Sequence, residues 1–111
     1  MKTKLDEKYY LLKELEKSEL NSQRALAEQM GISLGKINFI LKALIAKGLV
    51  KMENFAHSDH KIGYRYVLTA EGIKEKVRIT KAFIQKKESE YEKLRLEIEL
   101  AKEDIESDVL N

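Results

Sequence analysis

The sequence predicts a mainly α-helical fold with one small β-hairpin, followed by a single long C-terminal helix. Three observations carry this. From Leu20 to Tyr66 the chain reads "LNSQRALAEQMGISLGKINFILKALIAKGLVKMENFAHSDHKIGYRY": a short helix, a tight turn, a second helix ending at Gly48 and a hairpin, without a gap. Beyond Gly72 there is neither Gly nor Pro, so nothing stops a helix before about Asp108. Within that run, apolar residues recur every seventh position. The first pattern is a winged helix-turn-helix over residues 1–70, and the last two make residues 71–111 a long dimerisation helix.

The elements follow in order. Leu5, Tyr9, Leu12 and Leu15 keep a three-four spacing, with Leu11 beside them, so a first helix spans Leu5 to Lys17. Ser22 is placed to cap a short helix from Gln23 to Met30, its hydroxyl accepting from a first-turn N–H. Ala25, Leu26 and Met30 face inward, and Ala27 sits where two helices cross. Gly31 ends this helix. Ser33 caps the next, whose Ile37, Leu41 and Leu44 recur on one face. Gly48 closes it. Strands then span Leu49 to Phe55 and Gly63 to Thr69, with a twist or bulge near Asn54, where Val50, Met52 and Phe55 break alternation. The polar "AHSDHKIG" between them is the wing. Tyr64 and Tyr66 belong under the hairpin, with one of the pair facing out.

Thr69 caps the final helix, with Glu71 in its first turn, where negative charge suits the helix dipole. Val77, Ile84, Tyr91, Ile98 and Ile105 form the a row of a heptad repeat. Thr80, Lys87, Leu94, Ala101 and Asp108 form a mixed d row. Glu90 with Arg95, and Glu97 with Lys102, attract across a parallel pair of helices, so a parallel homodimer is expected, held by Val77, Ile84, Tyr91, Leu94, Ile98, Ala101 and Ile105. Phe83, Leu96 and Leu100 lie off that seam.

Composition excludes several classes. The chain has 111 residues, room for one small domain and an appendage. Charged residues make up 36%, above the usual value of about 25%, as a long solvated helix requires. There is no Cys, hence no disulfide, thiolate zinc site or thiol chemistry. No segment nears the roughly 18 apolar residues of a membrane span, and the N-terminus lacks the apolar run of a signal peptide. A cytoplasmic protein without membrane contact is expected. Charge is uneven: residues 22–67 hold seven Lys/Arg against three Asp/Glu, and residues 86–111 five against nine. A basic middle suits phosphate, and an acidic tail points away from it.

In this fold the second helix of the motif reads base edges in the major groove, so double-stranded DNA is the expected partner. Lys36 and Asn38 are candidate base contacts, since Asn pairs with adenine and Lys with guanine acceptors. Lys42 reaches base or phosphate. Phe39 is placed for a thymine methyl or for packing, and Ser33 opens the helix. Ser22, Gln23 and Arg24 stand at a helix start suited to phosphate. In the wing, His57, His60, Lys61 and Arg65 are candidates for the minor groove or phosphates. His57, Asp59 and His60 have no metal-ligand spacing, and no nucleophile or phosphate loop accompanies them, so neither metal, cofactor nor enzymatic activity is expected. Nothing identifies a small-molecule effector.

The segments "SQRALAEQMGISLGKINFILKALIAKGLVKMENF", "KIGYRYVLTAEGIKEKVRIT" and "EYEKLRLEIE" resemble the small MarR-type regulators associated with exopolysaccharide (EPS) biosynthesis. The likeness runs over residues 8 to 105, most specifically in "GISLGKINFILKALIAKGLVK" and "LTAEGI". It implies a bacterial, dimeric transcription regulator of surface-polysaccharide genes, with the DNA-reading segment at Ser33 to Lys42 and the wing at Ala56 to Gly63. Larger MarR proteins dimerise through helices at both termini and hold ligands between these and the DNA domain. This chain has a short first helix and one long last helix, so their phenolic-ligand pocket is not carried over. A second reading is a winged-helix module that binds protein through its acidic C-terminal helix, which Leu34 and Phe39 on the motif's second helix would suit.

Overall fold

A computed structural model describes residues 3–17, 22–56 and 62–110. Its elements are α1 (Lys4–Lys17), α2 (Gln23–Met30), α3 (Leu34–Ala46), β1 (Val50–Ala56), β2 (Ile62–Leu68) and α4 (Ala70–Leu110). The expected fold class holds: four helices, an antiparallel two-stranded hairpin, and a winged helix-turn-helix followed by a long last helix. The chain divides into two units, one ending at Thr80 and one beginning at Lys81. That division lies beyond the 70/71 junction, because the first turns of α4 are packed into the first unit.

α1 is the strut behind the motif. Thr3 and Asp6 cap it reciprocally: the Asp6 carboxylate accepts from Thr3 N at 3.1 Å, and Thr3 Oγ1 accepts from Asp6 N at 3.2 Å. Leu11, Leu12 and Leu15 are buried against Leu26, Met30, Ile37, Leu41 and Leu44 of the next two helices. The three-four spacing of those leucines puts them on one face, and removing any of them from water is worth about 1.5–3 kcal/mol. Ion pairs then tie α1 outward. Lys8 meets Glu75 at 3.3 Å, Glu7 meets Lys36 at 2.8 Å, and Glu16 meets Lys76. The Arg78 guanidinium holds the Glu75 carboxyl below its ordinary range against the opposing effect of burial, and Lys8 adds to the lowering.

Both helices of the motif end in the same way. Gly31 has φ 65° and Gly48 φ 74°, the left-handed region that an L side chain rarely occupies. At the first, Gly31 N donates to Glu28 O and Ile32 N to Ala27 O; at the second, Gly48 N donates to Ile45 O and Leu49 N to Leu44 O. These are paired Schellman closures, each followed by an apolar residue turned back to the core. α3 therefore stops at Ala46, with Gly48 just past its end.

The hairpin pairs in continuous register from Val50↔Leu68 to Ala56↔Ile62. The bulge expected near Asn54 is not formed. Asn54 continues the face begun by Val50 and Met52 and is exposed, so no extra residue is needed to turn it outward. Val50 is buried at the base of that face, and Tyr64 stands exposed towards its far end.

The hairpin, α3 and α4 meet at one joint. Thr69 Oγ1 accepts from Gly72 N at 3.0 Å and donates to Gly48 O at 2.6 Å, while Thr69 N donates to Leu49 O at 3.1 Å. Gly72 lies so close beneath that a Cβ would come to 2.0 Å from Leu49 O. Two turns on, Ile79 enters the core.

Taken by itself, the second unit is one helical segment. From Lys87 to Asp108 every side chain is exposed. Its charges pair along the helix: Lys87 with Glu90 at 3.2 Å, and Arg95 with Glu92 at 3.2 Å and Glu99 at 3.0 Å. Such pairs each give an isolated helix about 0.2–0.5 kcal/mol.

Replacing Gly72 by Ala forces the helix off Leu49. Chemical denaturation of Gly72→Ala is expected to show a loss of about 3 kcal/mol, the upper end of overpacking costs, whereas Ala70→Gly loses about 1 kcal/mol or less. Equal stability of Gly72→Ala and the parent would contradict the joint.

Candidate nucleic-acid interface

The outward face of α3 is built from its inward one. Ile37, Leu41 and Leu44 are buried, so at 100° per residue Phe39, Lys42 and Ala46 point away from the core. Ser33 Oγ accepts from Lys36 N at 3.1 Å, which fixes where the helix starts. Phe39 is 74% exposed, so a packing role inside the chain is ruled out. Leu34 is also exposed, and Asn38 is partly covered on the flank. Lys42 is exposed and has no partner among the described residues.

Lys36 behaves differently from its sequence expectation. Its ammonium reaches back 2.8 Å to Glu7, a carboxylate only 12% exposed. Pulling Lys36 away would strand that charge mostly out of water, which is costly. In this arrangement Lys36 braces α3 on α1. α1's part in holding α3 was not anticipated, although "TKLDEK" has the capping residues and the acid that would have shown it.

At the start of α2, Ser22 Oγ accepts from Ala25 N at 3.1 Å. The Gln23 amide is engaged: its Nε2 donates to the Tyr66 hydroxyl at 3.0 Å, tying α2 to the hairpin. Arg24 is exposed without a partner among the described residues. Of the Tyr pair, Tyr66 packs on the core and Tyr64 faces out, as expected. Arg65 lies opposite Glu53 in the register and its guanidinium bonds that carboxylate at 2.7 Å. A cross-strand pair therefore holds it at the hairpin's middle. His57, Asp59, His60 and Lys61 lie outside the described residues. Ser22, Arg24, Ser33, Phe39 and Lys42 are thus exposed and Asn38 is partly so, with Gln23, Lys36 and Arg65 turned to partners within the chain. No helix among the described residues is long and apolar enough to cross a membrane.

This arrangement, two capped helices at a glycine turn backed by a third and followed by a hairpin, defines the winged helix-turn-helix class. A family described as winged helix-turn-helix DNA-binding matches residues 10–51. Among solved structures, the chain resembles a mutant of Staphylococcus aureus MepR bound to an oligodeoxyribonucleotide, with TM-score 0.56 and 18% identity over 76% of this chain and 61% of that one. It resembles a mutant of Lactococcus lactis ZitR with TM-score 0.58 and 17% identity, covering 85% of this chain and 64% of that one. It also resembles Staphylococcus aureus MarR in complex with salicylate and kanamycin, with TM-score 0.52 and 22% identity, covering 74% and 53%. Identities this low establish a shared fold, and the chain spans less than two thirds of each of these proteins. Comparison with curated protein sequences finds no match.

The bond between Gln23 and Tyr66 is the described link from α2 to the hairpin. Tyr66→Phe is expected to cost about 0.5–1.5 kcal/mol in thermal or chemical unfolding, the net worth of one such bond. Unchanged stability would mean that water replaces it without loss.

Proposed function

We propose that this chain is a bacterial, sequence-specific DNA-binding transcriptional regulator that acts as a homodimer, without enzymatic activity. The observation that carries the reading is α3: capped at Ser33, closed at Gly48, buried along Ile37, Leu41 and Leu44, and presenting Phe39 and Lys42 outward. In this class that helix enters the major groove, with Asn38 and Phe39 at base edges and Lys42 and Arg24 on phosphates. His57, His60 and Lys61 belong to the wing on this reading. The regulated genes are those of surface polysaccharide, as the resemblance to the EPS-associated regulators implies. A cytoplasmic protein follows from that role.

The dimer is formed through α4. Val77, Ile84, Tyr91, Leu94, Ile98 and Ile105 are all about half exposed or more in the single chain, an apolar stripe left uncovered among the described residues. Ala101 gives close approach within it. The charge pattern favours parallel helices, but Glu90 and Arg95 already have partners on their own helix. Register therefore depends mainly on the apolar row. The alternative, a protein-binding module, draws on the apolar character of Leu34 and Phe39.

Fluorescence anisotropy of duplex from upstream of the chain's own operon tests the reading. Binding is expected to exceed that of a scrambled duplex by at least about a hundredfold and to weaken steeply with salt. Lys42→Ala should weaken it and reduce the salt slope by about 1. Equal weak binding to both duplexes would favour the protein-binding alternative. Ile84→Lys combined with Ile98→Lys should give a folded monomer by sedimentation and circular dichroism, with affinity lowered about a hundredfold or more through lost bivalency. Parent-like DNA binding by that monomer would sink the dimer mechanism.

A further inference from the structure

Between α1 and α3 runs a groove of about 300 Å³ that shares Phe39 with the DNA-reading assignment but extends beyond it to α1. Its apolar lining is Ile40, Ala43 and Leu44, with Phe39 exposed beside them. Its rim is cationic: Lys4, Lys8, Lys36 and Lys47, against the single acid Glu7. Lys36 and Lys8 are paired to Glu7 and Glu75. Lys4 and Lys47 have no partner among the described residues. An occupant matched to this site has apolar side chains about one helical turn apart and carboxylates beside them.

We propose that the groove receives the Leu96–Leu100 face of α4 from a second copy of the chain. Leu96 is two positions from both Leu94 and Ile98, hence about 200° around the helix from the heptad stripe. A seam built on that stripe leaves Leu96 and Leu100 uncovered, and they are 52% and 60% exposed. They stand at i and i+4, the spacing with which a helix anchors in a groove. Glu103 and Asp104 lie one turn beyond Leu100, and Glu97 is next to Leu96. None of these three carboxylates has a partner among the described residues. Of the nearby cations, Arg95 is held at home by Glu92 and Glu99, while Lys93 and Lys102 are outnumbered by these three acids. The two surfaces are therefore complementary in both terms: apolar pair to apolar lining, unpaired carboxylates to unpaired lysines.

The contact covers Phe39. Its regulatory consequence, a self-associated form that competes with duplex for α3, rests on the DNA-reading assignment; the contact itself does not. Being charge-assisted at a surface, it weakens with salt.

The test is site-specific photocrosslinking of the full chain without DNA, using Phe39→p-benzoylphenylalanine in an equal mixture of ¹⁴N- and ¹⁵N-labelled protein. Expected are mixed-isotope crosslinks from position 39 to the peptide carrying Leu96 and Leu100, abundant at low salt. Leu96→Ser with Leu100→Ser should reduce them at least about tenfold, and so should Lys4→Glu with Lys47→Glu, a pair of surface changes that leaves the core intact. Crosslinks that are absent, confined to one isotope, mapped elsewhere or unaffected by the lysine reversals would overturn the proposal. Adding the upstream duplex to the crosslinking reaction tests the competition separately, since only DNA binding at α3 suppresses crosslinks that form without it.

Discussion

The positions of α3, the hairpin and α4 depend on one hydroxyl. Thr69 Oγ1 has one proton and two lone pairs. The proton goes to the carbonyl of Gly48, at the exit of α3, and a lone pair takes the N–H of Gly72, at the entry of α4. The neighbouring Thr69 N–H is fixed on Leu49 O, the atom against which Gly72 packs. Four chain ends thus converge on a few atoms. Gly48 must turn left-handed to deliver its carbonyl, and Gly72 must lack a side chain so that α4 can start there. A change at any of the three disturbs the angle between the reading helix and the base of the wing, because they share this anchor.

α1 supplies the other half of the frame and does so by charge as well as burial. Its leucines fill the space behind the motif, while its acids and lysines reach to both neighbouring helices: Glu7 to α3, and Lys8 and Glu16 to α4. The Glu7 pair has a consequence for recognition. It engages a lysine within the segment proposed to read DNA, and it does so with a carboxylate mostly withdrawn from water. Rigidity of α3 is obtained at the expense of a cation. Arg65 is similarly committed to Glu53, where it stiffens the hairpin.

The helices and their ends were legible because their signals are local. Ser22, Gly31, Ser33 and Thr69 act on atoms three or four residues away, so their chemistry can be read from spacing alone. The inward face of α3 was equally plain from Ile37, Leu41 and Leu44. Side-chain direction was not legible where it depends on partners distant in sequence. Lys36 finds Glu7 across 29 positions and Gln23 finds Tyr66 across 43; neither pairing has a sequence period. The expected bulge is absent for a related reason: an exposed Asn54 at the outer part of the hairpin accounts for the irregular apolar alternation without any change in the backbone. The start of α1 at Lys4 agrees with a helix from about Leu5, and the Thr3–Asp6 box fixes it one residue ahead of the first apolar position.

These commitments bear on why the proposed regulator needs two copies. Electrostatic attachment to DNA scales with the number of phosphates neutralised, and each contributes about 0.9 to the salt slope. With Lys36 and Arg65 engaged, the described face of one domain offers Arg24 and Lys42 as cations free to reach phosphate. The rest of that face is Phe39, Asn38 and small residues, which can discriminate bases but add little non-specific attraction. A lone domain of this kind would search DNA weakly. Linking two of them doubles the phosphate contacts and makes the second engagement intramolecular, a gain of about 10²–10⁴ without any new type of contact. On the proposed reading, the heptad stripe of α4 therefore supplies affinity that α3 lacks.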